Sequence, residues 1–114
     1  NLAYHLLMRS NEFDEALRLA RIAKEQAPED PGIMDTLGMA YLKKGLYGNA
    51  VNEFTDSLKK IPKNPVVNYH LGLAYSKKGD KQKAIAALKK ALELNSNFED
   101  AQKAKELIQD LEKG

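Results

Sequence analysis

The sequence predicts an all-α fold, a stack of about three helix pairs closed by a C-terminal capping helix. Two observations carry this: an internal period of 34 residues, and paired helix-start and helix-stop signals inside each period. A third is the recurrence of small residues where two helices of a pair would cross.

The period shows when Asp35–Gly45 is laid over Tyr69–Gly79. Leu37 falls on Leu71, Gly38 on Gly72, Tyr41 on Tyr75 and Gly45 on Gly79, each 34 residues apart. Ala16, Ala50 and Ala84 share a column, as do Pro28 and Pro62, and Ala20, Phe54 and Leu88.

Helix boundaries follow from caps and turns. Asp30-Pro31 and Asn64-Pro65 each read as an N-cap followed by proline at the first helical position, where the missing amide costs nothing. Gly45 and Gly79 read as stops, because glycine alone enters the left-handed region freely. These signals predict helices over 2–10 and 12–27, 31–45 and 47–61, 65–79 and 81–94, with a seventh over 98–112. Gly38 and Gly72, facing Ala50 and Ala84, let the axes of a pair approach closely. Leu37, Tyr41, Leu71 and Tyr75 supply bulk beside the gap, so all of these are assigned to packing. The segment 98–112 has an apolar face (Ala101, Ala104, Leu107, Ile108, Leu111) and a charged one, as a terminal cap requires.

The chain has 114 residues, 43% hydrophobic and 30% charged, with a formal net charge of +2. That is ordinary for one globular domain. Without cysteine it forms no disulfide or thiolate metal site. No run reaches the ~18 apolar residues of a membrane span, and no signal-peptide pattern opens it. The first residue is Asn1, which points to an excised domain or a processed chain with further repeats upstream.

The columns Leu37-Gly38, Tyr41, Ala50, Phe54 and Pro62 resemble the tetratricopeptide repeat signature, with Met34 in place of its tryptophan. The next repeat keeps Leu71-Gly72, Tyr75, Ala84 and Ala91, with Asn68, Leu88 and Ser96 in the tryptophan, phenylalanine and proline columns. Residues 1–30 resemble a truncated first repeat, in which Tyr4 occupies the glycine column and predicts a wider crossing. The resemblance implies a right-handed α-α superhelix over the whole chain: 1–30 truncated repeat, 31–64 and 65–98 repeats, 99–114 capping helix. The wording of the second repeat also resembles C-terminal repeats of longer bacterial members, some linked to secretion and exopolysaccharide export.

In that family the first helices of successive repeats line a concave groove that takes a partner peptide. Carried over, the groove positions are Asn1, His5, Met8 and Arg9; then Asp35, Met39, Leu42 and Lys43; then Tyr69, His70, Leu73, Ser76 and Lys77. This implies a protein or peptide partner with spaced apolar anchors and acidic residues facing the cationic row Arg9, Lys43, Lys77. The opposing reading has Met39 and Leu73 partly covered by neighbouring helices. A second function class is a structural spacer or self-association segment of a longer array, driven by an apolar N-terminal edge at Leu2, Leu6 and Leu7.

Other chemistry finds little support. His5 and His70 lie two repeats apart, too far for one metal ion, and neither has a carboxylate one helical turn away. No phosphate loop, zinc-protease or dinucleotide motif is present, and no serine has a base placed beside it. The expectation is therefore no enzyme, no cofactor and no small-molecule substrate. Lys59–Lys90 is locally basic, but its lysines are spread over both helices of a repeat without interleaved aromatics, which argues against nucleic acid and membrane surfaces.

Some family members grip acidic chaperone tails with lysine, asparagine and arginine in fixed columns. Here those columns hold Asn1 and His5, Thr36, then Val66 and His70, so the cations are missing. An acidic chaperone tail peptide should give no saturable micromolar binding in calorimetry; a saturable isotherm would refute the reading.

Overall fold

The computed structural model describes residues 2–113, and side chains from residue 12 onward. Among these residues the chain forms six helices: α1 (Leu2–Gln26), α2 (Pro31–Lys43), α3 (Tyr47–Lys60), α4 (Pro65–Lys78), α5 (Lys81–Leu94) and α6 (Ala101–Lys113). Sequential helices pack in order, α1 on α2 through to α5 on α6, so each element leans on its neighbours in the chain.

The predicted caps are in place. The Asp30 carboxylate accepts from the amides of Gly32 (2.8 Å) and Ile33 (3.2 Å), and the Asn64 side-chain oxygen accepts from Val67 (3.0 Å). Gly45 and Gly79 take φ of 81° and 93°. In both turns the amide after the glycine reaches back to a tyrosine carbonyl, Leu46 to Tyr41 and Asp80 to Tyr75, each at 2.9 Å. The period thus repeats at the level of single hydrogen bonds.

One expected boundary is absent. The predicted helices 2–10 and 12–27 are one continuous helix, α1. Asn11 stands in the column of Gly45 and Gly79, and no described non-glycine residue has positive φ. With neither glycine nor proline at Ser10-Asn11, nothing terminates the hydrogen-bond ladder. Two other ends are shorter than expected: α2 stops at Lys43, and α6 begins at Ala101 after a turn through Phe98.

The helix crossings fit tightly. A Cβ added to Gly38 would lie 2.5 Å from the Phe54 ring, and one on Gly72 would lie 2.6 Å from a Leu88 methyl. Phe54 and Leu88 are both fully buried, so neither can retreat. Three apolar clusters follow the stack: Leu17 and Ala20 with Leu37 and Ala40; Ala50, Val51 and Phe54 with Val67 and Ala74; and Tyr69, Leu88 and Ala91 with Phe98, Ala101, Ala104 and Ile108. The buried polar groups are satisfied: Ser57 Oγ donates to the Pro31 carbonyl (2.8 Å), tying α3 to the start of α2, and Asn68 Nδ2 donates to the Asn64 carbonyl (2.8 Å).

Two glycine substitutions should therefore differ in sign. Gly72→Ala should destabilise by about 1–3 kcal/mol through overpacking against Leu88. Gly48→Ala, in the first turn of α3 with open space around it, should stabilise by about 0.4–1 kcal/mol. Urea unfolding midpoints of both variants check this.

Candidate partner-binding groove

The curvature of the stack decides which face is concave. Besides its sequential neighbours, α2 packs directly on α4, whereas no comparable packing joins α3 to α5. The first helices therefore lie on the inner side of the bend and the second helices on the outer.

Asp35, Met39 and Lys43 come together on this inner side. With Thr36 and Ala40 of α2 and Ala16 of α1 they line an open depression of about 360 Å³. Met39 and Leu42 are half-buried, each packed against the Ala50–Phe54–Val67 cluster, and Leu73 leans in the same way on the Tyr69–Leu88 cluster. All three thus serve the core and still present apolar surface. Lys43 and Lys77 are exposed at the C-terminal ends of α2 and α4, and Ser76 is half-buried. The side chains of His5, Met8 and Arg9 lie outside the described residues.

Tyr69 departs from the expectation. It is a core residue, 6% exposed, with its ring 5.8 Å from that of Phe98 and in one cluster with Ala101 and Ala104 of α6. The reason is its column. Tyr69 follows Asp35 by 34 residues, and this column faces the next first helix along the stack, a place that α6 fills for α4. Burial, with the Asp100 carboxylate a lesser cause, pushes the Tyr69 hydroxyl above its ordinary pKa.

The same column explains a contact that sequence reasoning missed. His70 Nδ1 and Asp35 Oδ1 are 2.8 Å apart, bridging α4 to α2, with the side chains 14% and 20% exposed. The His70 ring also lies 5.6 Å from Phe54 and 6.0 Å from Tyr69. The carboxylate that partners His70 is not one helical turn away in sequence but 35 residues away, on the preceding repeat. The 34-residue frame held the signal, since a residue in one first helix meets the column one step on in the next. This carboxylate also makes the chaperone-tail columns less hospitable to an acidic peptide, while Val66 there is merely an exposed apolar residue.

The lysines of 59–90 are scattered as expected, and several have local partners. Lys60 meets Glu29 (2.6 Å), Lys59 meets Asp56 (3.4 Å), Lys89 meets Glu112 (3.8 Å) and Lys83 meets Asp80 (3.9 Å). Such exposed pairs contribute little to stability. A more sheltered pair, Lys24–Glu53 (2.7 Å), ties α1 to α3 on the outer side, and Lys44 pairs with Asp14. Among the described residues no three His, Asp or Glu side chains converge as metal ligands, and no helix is long and apolar enough to cross a membrane.

A double-mutant cycle on Asp35→Ala and His70→Ala should return a coupling of about 1 kcal/mol in unfolding free energy, above the level of an isolated surface pair. Additivity of the two single effects would show that the contact does not hold α2 to α4.

Comparisons with known proteins agree with this fold. Tetratricopeptide repeat models match residues 2–65 and residues 65–98. A comparison with curated proteins finds no match. Among solved structures, the Yersinia enterocolitica type III secretion chaperone SycD, in complex with a peptide of the translocator YopD, superposes with a TM-score of 0.80 at 18% identity, covering 97% of this chain and 87% of that one. The TPR2B domain of yeast Sti1, in a pHsp70 complex, gives 0.83 at 16% identity over 93% and 87%. The Sgt2 TPR domain of Aspergillus fumigatus gives 0.76 at 23% identity over 96% and 77%. With a repeat model spanning more than half of its length, and its own 34-residue frame intact, this chain belongs to the tetratricopeptide repeat family.

Proposed function

We propose that the chain is a protein-interaction module that holds a short segment of a partner protein on the inner face of α2 and α4, and that it binds without turning anything over. One observation carries the reading: Met39, Leu42 and Leu73 stay half-exposed, Met39 and Leu73 in one column of the repeat frame, beside the open depression at Asp35 and Met39. A half-exposed methionine adapts its shape to different apolar anchors.

The charge beside the row sets the partner's chemistry. Lys43 and Lys77 stand exposed at one edge, 34 residues apart, while Asp35 is already engaged by His70. A helix or extended segment with apolar anchors at one-repeat spacing, and acidic residues toward the lysine edge, fits this surface. SycD and the Sti1 TPR2B domain, solved with a translocator peptide and in a pHsp70 complex, support the use of this architecture for holding segments of other proteins. Tyr69 has no part in the contact, since α6 already covers it.

The test is affinity capture from a lysate of the organism that makes the protein, with wild type beside a Met39→Glu/Lys77→Glu variant of unchanged helix content. The expected result is a protein held by the wild type and lost by the variant, with retention falling as salt rises. Identical captures from the two would contradict the groove as the binding face.

A further inference from the structure

The turn between α4 and α5 gathers positive charge. Lys77, Lys78, Lys81 and Lys83 stand within seven residues, against the single carboxylate of Asp80. That carboxylate is already engaged. It caps α5 by accepting from the Lys83 amide (3.3 Å), and it faces the Lys83 ammonium (3.9 Å). The same ammonium lies over the Tyr75 ring, 5.7 Å from its centroid. Lys78 and Lys81 are exposed and form no ion pair among the described residues. With Gly79, Asp80 and Gln82 they line an open depression of about 560 Å³. Lys78 suits the negative C-terminal end of α4. Lys81 does the opposite: it opens α5, whose first turn holds no acidic residue, and so stands at the positive end of that helix. Its column-mates are Phe13 and Tyr47, so a cation there is no part of the repeat's packing.

The repeat frame shows what Lys78 lacks. Its column-mate Lys44, just after α2, is paired with Asp14 of α1. One period on, the column of Asp14 holds Gly48, in the first turn of α3. Helix α3 packs on α4 as α1 packs on α2, so Gly48 stands toward Lys78 where Asp14 stands toward Lys44. The chain therefore supplies a carboxylate to the first of these lysines and none to the second. The space is there for one: a Cβ added to Gly48 would meet nothing within 4 Å.

From this we infer that the Lys78–Lys81 turn takes an acidic stretch of a partner protein. One carboxylate lies over Gly48 against Lys78, as Asp14 lies against Lys44, and the next meets Lys81. Charge complementarity names the occupant: two exposed ammonium groups beside open backbone, with the only nearby acid already spent as a cap. No aromatic side chain lines the depression to stack a base, so an extended acidic peptide fits it better than a nucleic acid. The turn lies outside the columns at which relatives grip chaperone tails, Asn1 and His5, Thr36, then Val66 and His70. The inference rests on the reading of the chain as a holder of protein segments, but not on the apolar strip at Met39, Leu42 and Leu73. A segment seated on that strip with its acidic end toward Lys77 would run on to this turn, since Lys78 is the next residue.

The test is an amide NMR titration of the full chain with hexaglutamate, beside hexaserine as the neutral control. The amides of Gly48 and of Lys78–Gln82 should shift with hexaglutamate alone, weakly but saturably, and less as salt rises. Gly48→Asp supplies the carboxylate from within the chain, engages Lys78 and should abolish these shifts. Gly48→Asn, of nearly the same size but neutral, should keep them. Gly48 is exposed in open space, so both variants fold, which thermal unfolding checks. Shifts lost in both variants, or in neither, overturn the inference, and so does a wild type whose turn amides do not move. Tighter binding of an oligothymidylate of the same charge at the same amides would also overturn it, by making nucleic acid the occupant. Hexaglutamate carries no apolar anchor, so its titration does not read the Met39 strip, and the groove reading can fail or hold separately.

Discussion

In each complete repeat a glycine on the first helix lets a bulky side chain of the second press against bare backbone. Gly38 receives the Phe54 ring and Gly72 receives Leu88, at distances that no Cβ would tolerate. Phe54 and Leu88 in turn are fully buried and sit at the centre of the second and third apolar clusters. The close crossing fixes the angle within a pair, and that angle fixes where the next pair must lie. Curvature, the inner row of α2 and α4, and the half-exposed apolar strip all depend on it.

A second constraint acts along the stack. The column of Asp35 and Tyr69 always meets the following first helix, and the chain solves that contact in two ways. Between α2 and α4 it is polar, Asp35 with His70. Between α4 and α6 it is apolar, Tyr69 with Phe98, Ala101 and Ala104. The capping helix thus meets α4 with an apolar seal and turns its charged face outward. Such a stack has no single core, and its stability is a sum over neighbouring contacts.

Much of this was legible in residues alone. Asp30-Pro31, Asn64-Pro65, Gly45 and Gly79 mark their boundaries because caps and left-handed turns are local chemistry, readable without a partner. Gly38 and Gly72 were legible through their columns. Elements that depend on tertiary contact were not. The continuity of α1 follows from what Asn11 lacks, and the frame alone read the segment as two helices. Tyr69 looks like a binding aromatic until α6 is seen to occupy the place of a next repeat. The Asp35–His70 contact joins residues 35 apart, and only the repeat frame, applied across repeats and not within one, points to it. Met39, Leu42 and Leu73 are half-buried and Lys43 and Lys77 exposed, and their part in binding is a proposal.

The proposed function divides packing and recognition between sides of the same helices. Columns that face a neighbouring helix are filled and closed; columns that face the inside of the bend are half-covered and remain available. Methyl-selective NMR during titration with the captured partner segment tests this division most directly. The Met39, Leu42 and Leu73 methyls should shift as the segment binds, while those of Leu58, Leu92 and Leu94 on the outer helices α3 and α5 stay in place. Shifts confined to α3 and α5 would contradict it and move recognition to the outer side of the stack.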